Sequence, residues 1–244
     1  MKNVKLTLEY DGTNYCGWQK QSNVITVQEE VEKRIGEIVG DKVDVIGCSR
    51  TDSGVHAKAY TCNFKTNSVI PPEKFYLVLN SVLPDDIVAL NSKEVPIDFH
   101  SRFNSKGKMY SYTILNRSQR PAINRNYVYQ YGHNLDCDLM REAAKYILGT
   151  HDFTSFKSTG SKVKSNIRTI YEAKIIEDEN KVIFYITGDG FLYNMVRIIV
   201  GTLLEVGEKK IIPLEVKTIV EAKDRTKAGR VVPAKGLCLE KVMY

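Results

Sequence analysis

The segment FLYNMVRIIVGTLLEVG, residues 191–207, narrows the folds open to this chain more than any other stretch. On a helical wheel Leu192, Met195, Val196, Ile199, Leu203 and Val206 form an apolar stripe, and Phe191, Ile198, Val200 and Leu204 widen it almost all round. A helix apolar on nearly every side has to be covered on nearly every side. Only Asn194, Arg197, Gly201 and Glu205 leave a narrow polar strip, which either faces water or meets a partner. If the strip is covered, Arg197 needs that partner, because an unpaired buried charge is costly. The chain must therefore build a large core around this helix. Its 244 residues suffice, since chains of this size bury roughly 70–75% of their unfolded surface.

The rest of the pattern alternates between the two periods. Val4, Leu6, Leu8 and Tyr10 mark a strand. Thr26 with Glu29 is a capping-box pattern that opens a helix carrying Val27, Val31, Ile35, Ile38 and Val39 on one face. VDVIGCS at 43–49 and YTCNFKT at 60–66 predict two strands. Pro71-Pro72 starts a short helix, and LPDDI at 83–87 turns the chain into a strand ending near Val95. A second round follows NSKGK at 104–108: the strand KMYSYTIL, the helix LMREAAKYILG closed by Gly149, the hairpin IRTIYEAKII and KVIFYIT, the helix at 191–207, and the strand LCLEKVMY. This order predicts an α+β fold of two ferredoxin-like βαββαβ units, residues 1–105 and 106–244. They are expected to share one mainly antiparallel sheet, with helices on one face and a binding cleft on the other.

Net charge is +6, and it is uneven. Between Asp98 and Asp136 lie Arg102, Lys106, Lys108, Arg117, Arg120 and Arg125 with no acid among them, interleaved with Phe103, Tyr110, Tyr112, Tyr127, Tyr129 and Tyr131. Between Asp152 and Glu172 lie Lys157, Lys162, Lys164 and Arg168, again without an acid. Basic groups contact phosphates and aromatic faces stack unpaired bases, so two such segments point to a nucleic-acid partner. Cys16, Cys48, Cys62, Cys137 and Cys238 form no C-x-x-C pair, and their odd number argues against a disulfide framework or a zinc site. With no apolar signal core in MKNVKLTLEY and no run of about 18 apolar residues, the expected setting is cytoplasmic, with no membrane and no metal.

Candidate chemistry centres on SRTDSGVHAKAY, residues 49–60. A turn aspartate such as Asp52 is most often structural, bonding a nearby backbone N–H. With Arg50 two residues before it, Asp52 is also expected to stay ionised, which suits a nucleophile better than a general acid. Lys108, Tyr110 and Tyr112 alternate along one strand and so share a face. A phenol there can stack on a base and also hydrogen-bond. Ser53, His56 and Asp52 are crowded on one turn, which is poor geometry for a nucleophilic triad. A G-x-S-x-G elbow, a Walker loop and a complete G-x-G-x-x-G are all absent.

SRTDSGVHA resembles the G-R-T-D-x-G-V-H-A motif of the tRNA pseudouridine synthase A family. KMYSY is similar to its K-x-Y-x-Y strand, and FLYNMVRIIVGTLLEVG to its F-L-x-x-M-V-R helix. YDGTNYCGWQKQ, TVQEEVE, FHSRFNSKGKMYSY, GTHDFTSF and PAKGLCLEKVMY follow in the family's order, so the resemblance spans essentially the whole chain. It implies an isomerase without cofactor that converts uridine to pseudouridine in the anticodon arm of tRNA, at positions 38, 39 and 40, and that works as a homodimer. Asp52 matches the family's catalytic aspartate, Tyr110 the tyrosine packed on the target base, and Arg197 the arginine paired with the aspartate. Arg50 and Lys108 are candidate substrate contacts, and Leu237 lies in a stretch resembling one near the base. Ser49, Ser53, Ser101 and Asp189 depart from residues frequent in the family, and none of these changes removes a charged or aromatic site residue. The rival classes are an RNA-binding module without chemistry and a hydrolase using Asp52 with His56.

Overall fold

The computed structural model describes residues 1–160 and 163–244. Lys162, one of the basic residues counted above, lies outside the described residues. The chain forms two units, residues 1–106 with 238–244, and residues 107–237.

In the first unit the order is β1 (Lys2–Tyr10), α1 (Val27–Val39), β2 (Ile46–Gly47), β3 (His56–Thr66), α2 (Phe75–Asn80) and β4 (Ile87–Val95). The terminal strand β10 (Leu237–Met243) joins them, and its residues from Cys238 belong to this unit. The strands lie in the order β4-β1-β3-β10, with β2 paired to β3. All these pairs are antiparallel except β3 with β10. That parallel pairing, Cys238 with His56 and Leu239 with Ala57, attaches the end of the chain to the first unit rather than to the second lobe that chain order assigns it.

The two faces of β1 differ. Val4, Leu6 and Leu8 are fully buried, and Tyr10 nearly so, on one face. α1 contributes Val27, Val31 and Ile35, also fully buried. Each such side chain stabilises the unit by about 1.5–3 kcal/mol relative to exposure. Thr26 caps α1 as its spacing predicts, its hydroxyl accepting from the Glu29 N–H at 3.4 Å, and the helix ends at Gly40 with φ +73°. Ile38 and Val39 at the end of the stripe are only half-buried.

The strand expected over 43–49 shrinks to Ile46–Gly47. The cause is α1, whose side chains take the groups a ladder would need. Glu32 accepts the Val45 N–H at 3.1 Å, and Gln28 donates to the Val45 carbonyl at 3.0 Å. By contrast β3 begins at His56, four residues before the predicted strand.

The second unit runs β5 (Gly107–Asn116), β6 (Tyr129–Tyr131), α3 (Cys137–Ala144), β7 (Gly149–Asp152), β8 (Ile167–Asp178), β9 (Lys181–Gly188), α4 (Met195–Gly207) and α5 (Glu215–Ala222). Its strand order is β5-β9-β8-β7, antiparallel throughout, with β6 added in parallel on β5. The fold is thus α+β, with a mainly antiparallel sheet.

Two helix boundaries differ from expectation. α3 ends at Ala144 in a 3-10 turn, and Gly149 opens β7 instead of closing the helix. α4 starts at Met195, because Asn194 adopts a left-handed φ of +60° just before it and leaves 191–193 outside. The sequence reading has no counterpart for β6, β7 or α5. Among the described residues no helix is long and apolar enough to cross a membrane.

Candidate active site

Asp52 stands on the loop between β2 and β3, half-exposed, in a turn closed by the Val55 N–H donating to the Asp52 carbonyl at 3.1 Å. Gly54, third in that turn, has φ +75°, which glycine adopts without strain. A neighbouring loop, residues 11–18, grips the turn through backbone groups. Trp18 N–H donates to the Thr51 carbonyl at 3.1 Å. The Gly54 N–H and the Ser53 hydroxyl both donate to the Tyr15 carbonyl, at 3.3 and 3.2 Å.

Gly17 makes this approach possible. Its φ is +83°, and a Cβ there would collide with the Thr51 carbonyl oxygen. Beneath the turn lies an aromatic cluster. Trp18 stacks on Tyr60 at 4.0 Å, and Tyr10 tilts against Tyr60 at 5.6 Å. Two hydroxyls of the cluster reach the loop: Tyr10 bonds Thr51 Oγ1 at 2.8 Å, and Tyr60 donates to the Ser49 carbonyl at 2.5 Å. Burial drives the Tyr60 phenol well above its usual range, so it stays a donor. Asp52 is therefore positioned by a frame of backbone bonds over a packed aromatic floor. Arg50, two residues before it, is exposed.

His56 is not the base of a triad with Ser53. Its Nδ1 lies 3.0 Å from Asp11 Oδ1 and 3.1 Å from the Gly12 nitrogen, while the Ser53 hydroxyl is given to Tyr15. That ring nitrogen either donates to Asp11 or accepts from Gly12, one at a time. Either bond ties the start of β3 to the gripping loop.

In the second unit Lys108, Tyr110 and Tyr112 alternate along β5 opposite Gly188, Ile186 and Phe184 of β9. All three are buried, Tyr110 with 6% exposure and an edge-on contact to Phe191 at 5.2 Å. The Tyr112 hydroxyl donates to the Pro233 carbonyl at 2.7 Å. Burial raises its pKa strongly, and the nearby Arg197 charge opposes that shift.

Arg197 is half-buried on α4, and its strip does not simply face water. Segment 229–232 lies along it: Gly201 is so close to the Arg230 carbonyl that a Cβ would clash, and Gly229 N–H donates to Thr202 Oγ1 at 2.9 Å. The guanidinium is oriented by two acceptors, the Val232 carbonyl through Nε and Asn194 Oδ1 through Nη1, both at 2.7 Å. Asn194 is held in turn by donating to Ser158 Oγ at 2.9 Å. Farther along the same segment Gly236 packs against the Tyr112 ring, and the buried Leu237 follows it. The second unit thus gathers Tyr112, Arg197 and the 229–237 segment, with Lys108 and Tyr110 farther along β5.

Sequence reasoning found the charged and aromatic residues, and set Asn194 on the same polar strip as Arg197, but missed those that hold the Asp52 turn: Tyr15, Gly17 and Thr51. The glycines of DGTNYCG were the available signal. The left-handed backbone of Asn194 had none, because it is a property of the folded loop.

Arg102, Lys106, Arg117, Arg120, Arg125 and Lys164 are exposed, with Lys157 and Arg168 half-buried. Among the described residues none of these eight forms an ion pair; Arg117, Arg125 and Arg168 bond backbone carbonyls, and Lys157 bonds Asn166. Arg34 and Arg141, in contrast, each engage two carboxylates. Among the described residues no group of three or more His, Cys, Asp and Glu side chains is arranged to hold a metal ion.

The family pattern of the tRNA pseudouridine synthases matches residues 7–104 and 143–244, which include Asp52, Arg197 and Leu237. The chain is 90% identical to tRNA pseudouridine synthase A of Clostridium acetobutylicum over the full length of both. It is 55% identical to tRNA pseudouridine synthase A 2 of Clostridium perfringens and 54% to tRNA pseudouridine synthase A of Clostridium kluyveri, again over the full length of each chain. A fold with Asp52 on a braced turn, and a match running through both units, lead to one conclusion: the chain belongs to the tRNA pseudouridine synthase family.

Proposed function

We propose that this protein isomerises uridine to pseudouridine in the anticodon arm of tRNA, at positions 38, 39 and 40, with Asp52 as nucleophile. The observation that carries this reading is the Asp52 turn, a half-exposed aspartate on a turn fixed by backbone bonds in a member of this family. The reaction breaks the N1–C1′ bond, rotates the uracil and joins C5 to C1′. The C5 proton is lost and N1 regains one, so product and substrate have the same mass. The step draws on no external energy, and it needs a group that holds or activates the separated fragment while the base turns. A carboxylate carried on a braced turn serves that purpose.

The target uridine must first leave its stack, at a cost of a few kcal/mol. Tyr110 replaces the lost stacking. Because that ring is now 6% exposed, its partner Phe191, half-buried and outside α4, is the part that must yield. Arg197 serves as the partner of the Asp52 carboxylate, as the resemblance implies, with its guanidinium aimed in advance by Val232 and Asn194. Arg50 and the exposed Arg102, Lys106, Arg117, Arg120, Arg125 and Lys164 take phosphates, the buried Lys108 contacts the substrate beside Tyr110, and Leu237 packs beside the base. The enzyme works as a homodimer in the cytoplasm, where its substrate is.

The test is to incubate the protein with a tRNA transcript and map pseudouridine. Wild-type protein is expected to convert uridines 38–40. Asp52→Asn should bind the RNA and form no product; appreciable turnover by that variant removes the nucleophile role. Release of free uracil would favour a hydrolase, and binding without chemistry a binding module.

A further inference from the structure

The turn at 100–104 carries a second feature that the reaction does not require. Phe103 is 75% exposed, yet its ring is not loose. His100 lies against it with ring centroids 4.2 Å apart and planes 33° apart, and the Arg102 guanidinium sits 5.8 Å from its centroid. The turn beneath is fully bonded. His100 Nδ1 accepts the Arg102 N–H at 3.1 Å, the His100 carbonyl accepts the N–H groups of Phe103 and Asn104, and the His100 N–H is taken by Asn104 Oδ1 at 2.7 Å.

A buried amide network anchors this turn to the sheet. Asn63 Oδ1 accepts both the N–H and the hydroxyl of Ser101, at 2.9 and 2.7 Å, and Ser101 is fully buried. Asn63 donates to Asn3, and Asn3 donates to the carbonyls of Pro96 and Phe99. Tyr244 closes the network through its hydroxyl on the Ser101 carbonyl at 2.8 Å.

A single exposed apolar residue is ordinary. A ring already held against His100, backed by a hydrogen-bonded turn and flanked by Arg102 and Lys106 in a stretch without acids, is a prepared surface. We infer that Phe103, with His100 and Arg102, is a stacking platform for an unpaired base of the RNA. This rests on the proposed RNA substrate and adds to it a binding site outside the reacting centre. The aromatic face supplies stacking that tolerates any base, and Arg102 supplies a phosphate contact or a cation–π contribution. The surrounding positive charge selects a polyanionic occupant over an apolar protein surface.

Two variants test this. The chain's single tryptophan, Trp18, is buried, so Phe103→Trp adds one exposed reporter. Its emission should be quenched on titration with oligouridylate and left unchanged by inorganic polyphosphate of equal charge. Equal responses to both, or none to either, overturn the platform. Phe103→Leu should weaken tRNA binding at least about fivefold, the lower end for loss of one base stack, with an unchanged salt slope. Phe103→Tyr should restore the affinity. Wild-type affinity in Phe103→Leu also overturns the inference. Wild-type protein that forms no pseudouridine would instead strike at the proposed reaction and leave the stacking measurements standing.

Discussion

The turns at 50–55 and 100–104 share one unit and lean on opposite faces of the same sheet, and they are held by opposite means. The Asp52 turn rests on Tyr10, Trp18 and Tyr60, and its bonds to loop 11–18 are mostly backbone to backbone. The Phe103 turn rests on Asn3, Asn63 and Ser101, a network of side-chain amides and a hydroxyl. Strand register explains the split. Tyr60 pairs with Leu8 on the apolar face of β1, and Asn63 pairs with Lys5 on the other. An aromatic floor tolerates small changes of hydrogen bonding but not of backbone approach. An amide network tolerates neither loss of a partner nor burial without one. The difference places the acid where shape fixes it and the aromatic ring where polarity fixes it.

That contrast can be broken from either side. The largest effect is expected at Gly17→Ala, where positive φ and the Thr51 carbonyl both oppose a side chain. Turnover should fall at least tenfold, with a stability loss of more than about 1 kcal/mol by thermal melting. Normal turnover would mean that loop 11–18 does not set the Asp52 geometry. Asn63→Leu comes next. It strands the Ser101 N–H and hydroxyl and the Asn3 side-chain oxygen, and should cost roughly 2–3 kcal/mol in urea denaturation while weakening tRNA binding more than it slows conversion of bound RNA. A pure loss of conversion rate would contradict the separation of the two turns.

Tyr60→Phe keeps the ring stack and removes the donor to Ser49, so about 1–2 kcal/mol should be lost, with a smaller drop in turnover than for Gly17→Ala. Thr26→Ala alters no bond of either turn itself, although Val27 and Gln28 beside it donate to the Gly17 and Trp18 carbonyls. It removes the α1 cap for about 1 kcal/mol and should leave turnover per folded molecule unchanged, which calibrates the other three.

Much of this architecture was readable in advance, for reasons that can be named. The period-two run of β1 and the capped stripe of α1 are local signals, and each folds as its spacing predicts. The apolar run at 191–207 does become α4, but four residues late, because a left-handed Asn194 replaces the first helical turn. Strand pairing was less readable. The 43–49 segment has strand-like residues, yet Gln28 and Glu32 of α1 claim its backbone, a competition between segments that no window of sequence contains.

The chemistry divides in the same way. By itself the sequence determined which functional groups exist: one acid after an arginine at a glycine turn, tyrosines in register on one strand, an arginine on an otherwise apolar helix, and basic segments free of acids. Those are properties of residue type and spacing, fixed before folding. Only the tertiary structure decided how each group is held, from the backbone grip of loop 11–18 on Asp52 to the aiming of Arg197 by Val232 and Asn194 and the amide anchor under Phe103. Their partners lie far away along the chain and meet only when burial forces every backbone and polar side-chain group to find a bond.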